Sequence, residues 1–173
     1  MPIAHGLLGA SIIAAVHPQP AKRYFAPFFI GILLANAADF DFFLVLFFES
    51  RVWHRGFTHS ILFALLVCLI FIMVLGKKHI RTALAFGLSY ASHCLLDFAT
   101  TKDGGGVELF WFFSSERWQL GLVELSESAT KLPLVEVVRA LFLETLLFIP
   151  VFVLMLYLRR YLRPDWSKAK DSI

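Results

Sequence analysis

The chain has 173 residues, of which 58% are hydrophobic and only 17% charged, and its net charge is +3. That balance excludes an ordinary soluble domain of this size and reads as one polytopic membrane domain. Nucleic-acid binding has no support, because the basic residues fall in helix-end anchors with no interleaved stacking surface. Nineteen Phe and four Trp fit a lipid-facing surface with aromatic belts. Cys68 and Cys94 form neither a disulfide framework nor a CxxC pair, so both are expected to be free. The first 21 residues contain no Lys or Arg, so the basic region of a signal peptide is missing and no cleavage is expected.

The first apolar segment, Ile3 to Val16, carries Gly6, Gly9, Ala10, Ser11 and Ala14, small residues that let helices approach closely. It is short for a span, which leaves a tilted core helix or a re-entrant piece. The stretch from His17 to Arg23 then breaks the chain with two prolines and two charges. Tyr24 to Phe48 is hydrophobic apart from Asn36, Asp39 and Asp41. A helix starting near Tyr24 rises ~22 Å by Asp39, so the acids approach the far interface and Phe42 to Phe48 are expected along the membrane surface. Thr58 to Leu75 is the cleanest span, ending at Gly76-Lys-Lys-His-Ile-Arg81, and a return segment runs from Ile80 to Phe98.

Residues 99 to 131 form the one long polar connection. It contains the turn-forming Gly104-Gly-Gly106 with Asp103 ahead of it, and the apolar Leu109-Phe-Trp-Phe-Phe113. That apolar stretch is too short to span. It reads either as a strut packed on the bundle or as an interfacial flap hinged on the glycines. Leu132 to Leu158 is the last and longest span, closed by Arg159, Arg160 and Arg163. The expected fold is an all-α bundle of about five membrane segments over 1–163, with a short cytoplasmic tail over 164–173.

Trp53 to Ser60, reading Trp-His-Arg-Gly-Phe-Thr-His-Ser, puts two imidazoles and a guanidinium at the edge of a membrane helix, where every polar group needs a reason. His54 and His59 are five apart and on a continuous helix would point about 140° away from each other. They converge only if His54 sits in a loop and Gly56 lets the chain turn back. Thr58 or Ser60 then suits a helix N-cap. His93 and Asp97 are four apart, so on a helix they share a face and can grip one ion from adjacent turns. Asp39 and Asp41 are separated by about 200° on a helix, so both can be ligands only if the helix ends between them, and otherwise one orients a histidine.

Topology and chemistry meet at this point. Lys22, Arg23, Lys77, Lys78, Arg81, Arg159, Arg160, Arg163, Lys168 and Lys170 make ten of the sixteen basic residues, all at one set of helix ends. By the positive-inside rule those ends are cytoplasmic. The opposite ends hold His5, Asp39, Asp41, His54, His59, His93, Asp97 and Asp103, which places a metal site at the outer interface. His17 and His79 fall on the basic side as ordinary interface residues. A pore would carry polar residues through the full depth of the bundle, and the cytoplasmic halves of these spans are almost wholly apolar.

His-Arg-Gly-Phe-Thr-His-Ser, with His93-Cys-Leu-Leu-Asp97 and Thr100-Thr101, resembles the YdjM-like family of small inner-membrane proteins described as membrane-bound metal-dependent hydrolases. The likeness runs from about His5 to Phe113. Where that family usually carries Pro-Asp-Leu-Asp, this chain reads Ala38-Asp39-Phe40-Asp41. The resemblance also supports His5 as a site residue. The His and Asp ligand pattern looks loosely like the zinc-dependent phospholipase C group.

The expected metal ligands are therefore His5, Asp39, His54, His59, His93 and Asp97. Mixed imidazole and carboxylate donors favour zinc, with manganese or iron as alternatives, and there are enough of them for one or two ions. Asp41 is the candidate general base or orienting partner, and Arg55 the holder of an anionic phosphoryl oxygen. The expected function is hydrolysis, by metal-activated water, of a phosphoester on a lipid-like substrate. The alternative is a non-enzymatic membrane protein with a structural, sensing or transport-related metal site.

Overall fold

The computed structural model describes residues 1–18, 25–101, 105–122 and 134–162. Asp103, Lys22, Arg23, Arg163 and the tail over 164–173 lie outside the described residues. Among the described residues six α-helices form: α1 (Pro2–Val16), α2 (Phe25–Asn36), α3 (Phe42–Phe48), α4 (Ile61–Leu75), α5 (Ile80–Thr100) and α6 (Leu134–Leu162). A 3-10 turn, Ala37–Asp41, joins α2 to α3, and two more, Arg51–Trp53 and Phe57–His59, lead into α4. The described residues are helical throughout except for loops and one isolated antiparallel bridge, Val107 with Trp118.

Helix α5 is the central pillar, packed against α1, α2 and α4, while α1 is also covered by α2 and α6. The small residues of α1 allow this: a Cβ added at Gly9 would lie 2.6 Å from both the Gly31 carbonyl oxygen and Ala35 Cβ, and one added at Gly31 would collide with Ile13 Cγ1. As the numbers rise along α1 they fall along α2, so the two helices are antiparallel. Helix α6 runs parallel to α1 and closes both its ends. Glu144 Oε2 accepts from Ala4 N at 3.1 Å, and Arg159 donates to the Ala14 and His17 carbonyl oxygens at 2.6 and 2.9 Å. An acid thus meets the orphan amides of a helix start and a guanidinium the orphan carbonyls of its end, each the sign the helix dipole favours. Gly9→Ala should therefore lower stability by about 1 to 3 kcal/mol, because two backbones must separate. Ala15→Ser, on the exposed side of α1, should stay within about 0.5 kcal/mol of wild type in the same detergent melt.

The expectation of five membrane segments needs correction. Among the described residues two stretches, Phe25–Phe48 and Val137–Tyr161, are long and apolar enough to cross a membrane, and the count reaches three if the segment bent by 53° between Arg51–His59 and Ile61–Leu75 is one span. Helices α1 and α4 have 15 residues each, short of the roughly 20 that a bilayer core requires. Helix α5 is long enough with 21 residues, but it carries Ser89, Ser92, His93, Asp97 and Thr100, all buried. A helix wrapped by neighbours needs no apolar coat, so its composition reports the bundle interior and not lipid.

Candidate metal centre

The site lies where the start of α1, the end of α2, the histidine motif and the end of α5 meet. Helix α2 stops at Asn36, ahead of both acids and not between them, and the 3-10 turn over Ala37–Asp41 carries Asp39 and Asp41 toward the histidine motif. In that motif the left-handed residue is Arg55, with φ 59°, whereas Gly56 has φ −82°. The turn back is made one residue earlier than the position of the glycine implies. Gly56 still matters for space, since a Cβ there would sit 3.3 Å from the Trp53 carbonyl oxygen. Ser60 is the N-cap of α4 and accepts from Phe63 N at 3.1 Å, which leaves His59 immediately before the helix.

Asp41 organises the motif. Its Oδ1 lies 2.9 Å from His54 Nδ1, while its Oδ2 accepts from Arg55 N at 2.8 Å and Thr58 Oγ1 at 3.0 Å and lies 3.2 Å from His59 Nδ1. The left-handed turn at Arg55 is what aims that backbone N–H at the carboxylate. On the other side, His93 Nδ1 donates to the Ala35 carbonyl oxygen at 2.7 Å.

With both Nδ1 atoms so committed, His59 Nε2 and His93 Nε2 face each other at 3.0 Å. Imidazoles protonated only at Nδ1 present lone pairs at Nε2, and two lone pairs at that distance repel unless a proton or a metal ion is shared between them. Asp39 Oδ1 lies 3.7 Å from His59 Nε2 and 3.5 Å from His93 Nε2, and Asp97 Oδ2 lies 3.7 Å from His59 Nε2. Asp39, His59, His93 and Asp97 each offer one ligand atom, all within 4.8 Å of one another, so the four could together hold one ion. Charge agrees: the cluster gathers three carboxylates, Asp39, Asp41 and Asp97, of which Asp97 alone pairs with the Arg55 guanidinium, which leaves an excess of two negative charges when the imidazoles are neutral. A divalent cation is the complement.

The remaining expected residues are sorted by the geometry. His54 falls in a second cluster with Asp39 and Asp41, so Asp39 belongs to both groups. His5 belongs to neither. Its Nε2 lies 3.2 Å from Asp97 Oδ1 and its ring stacks on His93 at 3.8 Å, so it braces two members of the quartet from behind. Arg55 Nε donates to Asp97 Oδ2 at 2.9 Å. His17 lies at the far end of α1, 3.3 Å from Thr82 Oγ1.

Three contributors are not evident from the sequence pattern. The Ala35 carbonyl leaves no side-chain signal. Tyr90 donates to the Thr58 carbonyl oxygen at 2.7 Å, and its spacing to His93 and Asp97, three and then four residues, does mark one helix face. Arg117 holds the His54 and Val52 carbonyl oxygens at 3.1 and 2.8 Å and pairs with Glu108 at 3.2 Å. Glu108 N also donates to the Arg55 carbonyl oxygen and Ile61 N to the Leu109 carbonyl oxygen, both at 3.0 Å. The base of the aromatic loop is therefore pinned to the histidine motif like a strut. Trp111 packs on Phe57, while Phe112 and Phe113 project outward.

An all-helical membrane bundle with a buried cluster of histidines and aspartates at one end is the class that fold and site define. The chain belongs to the YdjM inner membrane protein family, whose sequence profile matches residues 1–165. The match extends past Phe113 and through the last span. The chain is also 37% identical over 136 residues to the inner membrane protein YbcI of Escherichia coli (strain K12), covering 69% of this chain and 70% of that protein. No solved structure matches it.

Proposed function

We propose that the protein is a membrane-bound metal-dependent hydrolase acting on a phosphoester of a lipid-like substrate. The observation that carries this reading is the pair of Nε2 atoms 3.0 Å apart with both Nδ1 atoms engaged, flanked by Asp39 and Asp97. Two imidazoles and two carboxylates suit zinc better than calcium or magnesium, and His54 with Asp39 and Asp41 offers room for a second ion. A bound divalent ion supplies Lewis acidity and lowers the pKa of water.

The chain's own residues do the rest. Asp41, its oxygens already engaged, orients His59 and the Arg55 backbone rather than serving as a general base. Asp39 is the most exposed of the quartet, with 38% of its side chain accessible, and so marks the open edge where substrate enters. Among the described residues Arg55 is tied to Asp97 through Nε alone, which leaves its terminal nitrogens for a phosphoryl oxygen. The rival reading, a structural or sensing site, draws on the fact that all four corners of the quartet come from protein, as in closed zinc sites.

Hydrolysis separates the two readings. Purified protein should cleave bis(p-nitrophenyl) phosphate or a phospholipid, lose that activity to a chelator and regain it with zinc, and Arg55→Ala should slow it by about 100-fold, the scale of losing one positioned donor. Metal-loaded protein inert on both substrates would leave only the structural reading.

Placement on the non-cytoplasmic face rests on charge. Arg159 lies beside His17 at the end of α1, and His17 beside Thr82 near the start of α5, all at the end away from the metal cluster. In a background without Cys68 and Cys94, single cysteines at Ser50 and Ser114 should react with an impermeant thiol reagent outside intact cells, and one at Ser172 should not. The reverse pattern would put the site in the cytoplasm.

A further inference from the structure

Beside the metal cluster lies a cleft of ≈ 410 Å³. Leu34 and Ala37 form one wall, Phe63 and Val67 of α4 the other, and Tyr90 of α5 the floor. Helices α2 and α4 each pack on α5, and the cleft is the space left between them. It is of ligand-pocket size and its lining is apolar except where Asp41 and Thr58 reach it. Tyr90 does not make the floor polar, because its hydroxyl is spent on the Thr58 carbonyl oxygen. Asp41 lies 3.2 Å from His59, so the polar end of the cleft adjoins the quartet directly.

The direction of the cleft identifies its occupant. Helix α2 runs toward the site and α4 away from it, so Val67 lies eight residues after His59, roughly 10 Å along α4, and Leu34 lies five residues before Asp39, next to the Ala35 carbonyl that holds His93. Both displacements lead inward from the interface. A lipid in the same leaflet has this layout, an anionic phosphoester at the interface and hydrocarbon running inward. We propose that the cleft receives one hydrocarbon chain of the lipid whose phosphoester is presented to the metal cluster and Arg55. The proposal rests on the metal-hydrolase reading and names the part of the substrate that this reading leaves open. It makes the enzyme selective for a single straight chain, with the headgroup positioned by where that chain ends.

The test uses the full chain in detergent with a lysophosphatidic acid carrying a diazirine at the end of its acyl chain. Photolabel should concentrate on Leu34, Phe63 and Val67, about tenfold above Leu69 on the exposed face of α4. Unlabelled alkyl phosphates should compete about fourfold better per added methylene until the cleft is full. Val67→Trp, with metal content unchanged, should cut the label about tenfold and make the competition level off at a shorter chain. Ala37→Phe serves as the second variant should Val67→Trp not fold. Equal labelling of Val67 and Leu69, or unchanged labelling in a folded variant, is what ordinary boundary lipid would give and overturns the proposal. Clustered label without hydrolysis leaves the cleft standing and removes the hydrolase reading. Hydrolysis of bis(p-nitrophenyl) phosphate with uniform label does the reverse.

Discussion

His59→Ala should strip the purified protein of most of its metal. Wild type is expected to carry one or two equivalents of zinc or another transition metal, measured by elemental analysis after purification without chelator. His59 is the centre of the cluster: its Nε2 lies 3.0 Å from His93 and 3.7 Å from both Asp39 and Asp97, and its Nδ1 is held by Asp41. Its removal deletes one corner and releases the partner that orients the others. Loss of an outer partner alone costs about 10 to 100-fold in affinity, so Asp41→Asn should fall in that range and His59→Ala well beyond it. His17→Ala, at the opposite end of the same bundle, should keep the wild-type content. Equal metal in the His59 and His17 variants would show that the ligand assignment is wrong.

Asp97→Ala should do two things at once, lose metal and unfold early. Asp97 accepts from Arg55 Nε at 2.9 Å, and both side chains are at least nine-tenths buried. Removing the carboxylate leaves a buried guanidinium without its anion, a change that costs about 3 to 5 kcal/mol. His5 loses its partner as well. Comparison of metal-free proteins isolates this effect from the stabilisation that any bound ion adds. In that comparison Asp39→Ala, whose side chain is more exposed and has no guanidinium partner, should melt within about 1 kcal/mol of wild type, although the metal-loaded form loses its ion as surely. If the two metal-free variants melt alike, the Arg55 and Asp97 pair does not hold the end of α5 against the motif.

Much of the candidate site is legible in the amino-acid sequence because apolar surroundings make ionisable residues conspicuous. In a chain with 17% charged residues, His5, Asp39, Asp41, His54, His59, His93 and Asp97 stand out, and helix alternation is enough to gather them at one end. The shared face of His93 and Asp97 follows from local rules, as does an N-cap at Thr58 or Ser60, of which the structure uses Ser60. The division of labour does not follow. Sequence spacing sets His54 beside His59, yet the facing pair is His59 and His93, 34 positions apart, because the α4 and α5 hairpin brings their rings together. The choice between Asp39 and Asp41 is also invisible in the spacing, since it depends on a 3-10 turn whose angular step differs from that of an α-helix.

Span counting fails at α5 for a related reason. Hydropathy measures how well a segment tolerates lipid, and α5 meets protein on most of its sides. Glu144 shows the converse case: an acid inside the last apolar span, it is assigned to Ala4 N only by the packing of α6 on α1. What the sequence by itself determined is the solvent this protein inhabits, the candidate site residues and the end of the bundle where they gather, because composition and helical period act locally. Which nitrogen faces which, that Asp41 orients while Asp39 stays accessible, and that a cleft leads inward from the cluster were decided by tertiary structure, because each depends on distances between segments that the chain order leaves open.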